Sequence, residues 1–121
     1  MIRLKDGVSL DRVDRHVFHA VAIADEIWAR HGAAECWVTA GNEPGHKTNL
    51  DRSRQFHRLP DGTCQAADLR THNLPPANVK PAVDELARTL GPLYDVLLEH
   101  PGEPIEHCHL QFDPDRPGTV T

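Results

Sequence analysis

The chain has 121 residues, of which 39% are apolar and 26% charged, with a formal net charge of -5. That length supports one modest core and not two, so residues 1–121 are expected to form a single domain. The acidic balance and scattered basic residues argue against a nucleic-acid backbone as the main partner, and no apolar run is long enough to span a bilayer.

In chain order, "MIRLKDGVSL" has no apolar stretch behind its positive charges, so neither a secretory signal nor a membrane anchor is expected. Synthesis in the cytoplasm follows, with any export by a holin-like or assembly route. From Ser9 to His31 the apolar residues Leu10, Val13, Val17, Ala20, Val21, Ala24, Ile27 and Trp28 recur at helical spacing. Ser9 or Asp11 is placed to cap that helix and Gly32 to end it. "AECWVTAG" reads as a short buried strand, and residues 41–62 as a long polar loop of the kind that is functional or disordered in a small domain.

"QAADLRT" predicts a second strand. "LPPANVKPAVDELARTLG" predicts a prolyl turn and a helix starting near Asn78 or Lys80, with Pro81 in its first turn and Gly91 as its stop. "LYDVLLEH" and "HCHLQFD" predict two strands joined through "PGEPIE" as a hairpin, followed by a proline-rich tail. The order helix, strand, loop, strand, helix, strand, strand implies an α+β fold, a small and mainly antiparallel sheet flanked by helices.

Three cysteines, Cys36, Cys64 and Cys108, match no Cys-x-x-Cys motif and are expected to be reduced and partly buried. Nine histidines, roughly three times an average share, are the functional hint in the composition. In "EHCHLQFDP" the strand period of two sends His107, His109 and Gln111 to one face, read as open, and Cys108, Leu110 and Phe112 to the core. "CQAADLR" likewise puts Asp68 and Arg70 on one face, where Asp68 meets the histidines if the strands are neighbours.

His57, in the long loop, offers a third ligand, with His46 as a competing imidazole. One carboxylate and two imidazoles suit zinc and leave a fourth position for water, as a catalytic site requires. Glu106, three residues before His109, is the candidate to take a proton from that water. Cys64 is a further soft donor near Asp68.

These residues resemble a family of zinc peptidases that includes D-alanyl-D-alanine carboxypeptidases and dipeptidases, phage L-alanyl-D-glutamate endolysins and the hedgehog signalling domain. That family's pattern is Ser-x-His-x-x-Gly-x-Ala-x-Asp, followed near the C-terminus by an acidic residue, two arbitrary residues and His. "SRQFHRLPDGTCQAADLRT" supplies His57, Gly62, Ala66 and Asp68, and "EHCH" supplies Glu106 and His109; the likeness covers about residues 35–114. More residues separate His57 from Asp68 than the pattern has.

The resemblance implies a hedgehog or D,D-peptidase-like fold, one zinc ion held by His57, Asp68 and His109, and Glu106 as general base. It implies a peptidase acting on an amide bond of the peptidoglycan stem peptide, of D-Ala-D-Ala or L-Ala-D-Glu type, and a phage or prophage source. Substrate contacts fall to His107, to His46 and to Arg70, with Arg52 and Arg54 as alternative clamps. The rival expectation is a non-catalytic metal-binding module, or a structural phage component with a vestigial site.

Overall fold

The computed structural model describes residues 1–43 and 62–114. Five strands and two helices follow one another as β1 (Ile2–Leu4), α1 (Arg15–Arg30), β2 (Cys36–Ala40), β3 (Ala66–Arg70), α2 (Pro76–Leu90), β4 (Tyr94–Glu99) and β5 (His107–Phe112). They form an α+β fold with one open sheet in the order β1-β2-β3-β5-β4. Only β1 and β2 are parallel; the remaining neighbours are antiparallel.

Alternation decides which side of each strand is apolar. Cys36 and Val38, Ala67 and Leu69, and Cys108, Leu110 and Phe112 enter one core with Val17, Ala20, Val21, Ala24, Ile27 and Trp28 of α1 and Val79, Ala82, Val83 and Leu86 of α2. The helices therefore cover one face of the sheet, each crossing between parallel strands: α1 from β1 to β2, and α2 from β3 to β4 with β5 inserted between them. Trp28 ties the layers together, its indole N–H donating to the carbonyl of Arg70 at 3.0 Å. The other face carries Asp68, Arg70, Asp95, Glu99, His107, His109 and Gln111.

The elements differ from expectation at three places. Helix α1 begins at Arg15 and not near Ser9, with Asp14 as its cap: the carboxylate accepts the His16 amide at 2.7 Å. The periodicity through Leu10 and Val13 is overridden because Arg12 has φ 57° and Val13 bridges Cys64, whose carbonyl accepts the Asp14 amide at 2.8 Å. Helix α2 begins at Pro76, so Pro81 lies past the first turn and offers no amide to the carbonyl four residues back.

The third difference is β1, a strand too short and too exposed to show a period. Its backbone register on Cys36, Trp37 and Val38 holds it, together with ion pairs from the N-terminal ammonium to Asp25 and from Arg3 to Glu35. Among the described residues no helix is long and apolar enough to cross a membrane.

Candidate metal centre

Strand register builds the site. On the face away from the helices Asp68 lies directly opposite His109 in the β3–β5 pair, and Glu99 lies opposite His107 in the β4–β5 pair. Cross-strand neighbours of this kind stand close enough for their side chains to touch. Asp68 Oδ1 is 3.0 Å from His109 Nδ1, and Glu99 Oε1 is 3.1 Å from His107 Nε2. Two longer contacts close the set: His109 Nδ1 to Glu99 Oε1 and His107 Nε2 to Asp68 Oδ2, both 3.8 Å. Donor atoms of Asp68, Glu99 and His109 lie within 4.8 Å of one another, a group that could hold a metal ion.

The face expected to be open is closed at its centre. His109 is 3% exposed and Gln111 0%. The reason is strand order: β5 is internal, so each of its residues on that face has a side chain on both flanks, Asp68 and Leu97 around His109 and Ala66 and Asp95 around Gln111.

The chemistry of the donor set fits a cation. His109 Nε2 faces the amide oxygen of Gln111 at 3.0 Å and so donates its proton there. That tautomer turns the lone pair of Nδ1 toward a carboxylate oxygen of Asp68. Two electron-rich atoms at that distance call for positive charge between them, either a second ring proton or a metal. Ligands on a tetrahedral zinc are about 3.3 Å apart, from metal–ligand bonds of about 2.0 to 2.1 Å. The Asp68–His109 separation is close to that edge.

Glu106 stands at the entrance of β5, and its carboxylate is used in the turn: it accepts the Thr71 hydroxyl on one oxygen and the Gly102 amide, at 2.8 Å, on the other. Burial opposes its ionisation, but the Gly102 amide, the Thr71 hydroxyl and the nearby His72 outweigh that and hold its pKa below the ordinary 4.5. It is not among the three residues of the metal group.

Beside the group opens a cleft of about 340 Å³, lined by Lys5, Asp68, Arg70, His72, Glu106 and His107. Arg70 does not pair with Asp68; its guanidinium lies over the Trp37 ring, 4.7 Å from the centroid.

Two of the four residues expected to be ligands or base, Asp68 and His109, thus stand together, and Glu106 lines the adjoining cleft. His57 and His46 lie outside the described residues, as do Arg52 and Arg54. Among the other described histidines, His16 stacks on Phe112 and meets Asp14, His31 meets Glu85, His72 reaches the Pro104 carbonyl, and His100 meets Glu103 with its ring 6.1 Å from that of His107. All three thiols are free and buried. Burial pushes the Cys36 thiol up to about 12 and raises that of Cys108. Cys64 donates to the Ala66 carbonyl and is not in the metal group.

Glu99 was missed in the sequence. Its signal was present: pairing "YDVLLE" with "HCHLQF" across the hairpin puts Glu99 on the face of His107 and His109, once the register is known. No protein-family model, curated protein or solved structure matches this chain.

Proposed function

We propose that this protein is a zinc-dependent peptidase that hydrolyses an amide bond in the peptidoglycan stem peptide, of D-Ala-D-Ala or L-Ala-D-Glu type. The observation that carries the reading is Asp68 Oδ1 at 3.0 Å from His109 Nδ1, a donor pair drawn from the two sequence motifs that resemble the zinc peptidases. The substrate class and a phage or prophage source rest on that resemblance alone.

Asp68 would hold the ion through Oδ1 and His109 through Nδ1, with His57 as the third ligand. Bound there, the cation would polarise the scissile carbonyl and acidify the attacking water. Gln111 keeps the Nε2 proton in place and so directs the Nδ1 lone pair at the site. Arg70 and His107 line the cleft beside Asp68, where Arg70 would donate to the developing oxyanion and His107 would help to orient a peptide. A carboxylate must accept the proton of the water, the role the Glu-x-x-His pattern gives to Glu106.

A second reading, a metal-binding module without catalysis, is favoured by one feature: Asp68, Glu99, His107 and His109 contact one another closely enough to form one polar network. Elemental analysis of the purified protein and of Asp68→Asn and His109→Ala, with mass spectrometry of stem peptides incubated with each, separates the readings. The expected result is about one zinc per chain and cleaved peptide, both lost in the variants. Metal content unchanged in His109→Ala sinks the ligand set, and metal without cleavage selects the second reading.

A further inference from the structure

The geometry points to Glu99, and not Glu106, as the carboxylate that takes the proton from the attacking water. This rests on the reading of the site as a metal-dependent hydrolase and assigns a residue that the Glu-x-x-His pattern does not.

The two carboxylates differ in what they touch. Both oxygens of Glu106 are taken, by the Thr71 hydroxyl and the Gly102 amide, which tie the segment after β3 to the β4–β5 turn. A carboxylate whose two oxygens each already accept a hydrogen bond from the loops is held in place as a brace of the hairpin. Glu99 leaves β4 on the face of Asp68 and His109, with Oε1 3.8 Å from His109 Nδ1. Oε2 makes no hydrogen bond to a described residue, so one oxygen of this carboxylate is uncommitted while the other faces His109 and His107.

Distance also separates a base from a ligand. Asp68 Oδ1 and His109 Nδ1, at 3.0 Å, are near the roughly 3.3 Å edge of a tetrahedral zinc site. Glu99 Oε1 is farther from Nδ1 than that edge and is held instead by His107 Nε2 at 3.1 Å. His107 is itself fixed, its Nδ1 donating to the Ile105 carbonyl at 2.8 Å. An acid or base oriented by a third group that is anchored to backbone is the arrangement proton transfer needs.

The step balances as follows. Water adds through oxygen to the scissile carbonyl carbon, and one of its protons passes to Glu99. As the C–N bond breaks, that proton passes from Glu99 to the leaving nitrogen, which gives a carboxylic acid and an amine and regenerates the carboxylate.

The test compares zinc-loaded wild type with Glu99→Gln and Glu106→Gln for zinc affinity, by competition with a chromophoric chelator, for stem-peptide hydrolysis and for thermal midpoint. Glu99→Gln is expected to slow hydrolysis by roughly 100-fold to 10,000-fold, and to change zinc affinity by less than the roughly tenfold that loss of a metal-site residue costs. Glu106→Gln is expected to lose less rate than Glu99→Gln and to melt earlier. Glu99→Asp, which keeps the charge facing His107, covers the case in which Glu99→Gln does not fold, and is expected to fold, bind zinc and turn over slowly.

The assignment is overturned if Glu99→Gln or Glu99→Asp keeps the wild-type rate, if Glu99→Gln loses zinc, or if folded, zinc-loaded Glu106→Gln loses the rate. Wild type that binds zinc and cleaves no stem peptide overturns the parent reading as well, which distinguishes the two failures.

Discussion

Gln111 shows how much one buried amide decides. It is wholly buried, its oxygen accepts from His109 Nε2, and it thereby selects the tautomer whose Nδ1 lone pair faces Asp68. Gln111→Met, which keeps the shape and removes the acceptor, is expected to lower zinc affinity by about 10-fold to 100-fold, measured by chelator competition. Glu106 carries a pH dependence of definite sign. Its folded pKa lies below 4.5, so folding favours its ionised form, and the stability it adds is present above that pH and lost as the pH falls through the folded value. The gap in melting temperature between wild type and Glu106→Gln is therefore expected at pH 7 and should close on acidification below about 4.5; a gap independent of pH over that range contradicts the turn-brace role.

Among the elements, α1 owes its start to Asp14 and not to the residues that its periodicity favours. Asp14→Ala removes the acceptor of the His16 amide and is expected to cost about 1 kcal/mol, seen as a drop of a few degrees in the melting midpoint. Ser9 or Asp11 changed to Ala should not uncap the helix, since neither is its cap. The end of β2 is packed just as specifically: a Cβ on Gly41 would stand 2.5 Å from the Ser9 carbonyl oxygen, a backbone atom that cannot rotate away. Gly41→Ala is expected to destabilise by about 1 to 3 kcal/mol in denaturant titration, as overpacking does. Strand β1 illustrates the reverse case, an element made by pairing and terminal charge with hardly any apolar signal of its own.

Across the whole molecule, Asp68 and His109 sit on adjacent strands, so an ion bound by them would tie β3 to β5. Zinc that binds the folded chain alone should raise its stability by about 2.7 kcal/mol at a free concentration 100 times Kd. The expected outcome is a higher melting midpoint with zinc than with a chelator, and no such difference in Asp68→Asn or His109→Ala. What the sequence determined unaided was local: the period of two in "HCHLQF" that divides histidines from core, the apolar stripe of each helix, and the Gly91 stop of α2. Those signals lie within one segment, where side-chain direction follows from backbone geometry. Strand order and register join segments far apart in the chain, and only the tertiary structure decided them. Placing β5 inside the sheet buried His109, brought Asp68 against it from 41 residues away, and turned Glu99, an unremarked strand end, toward the same centre.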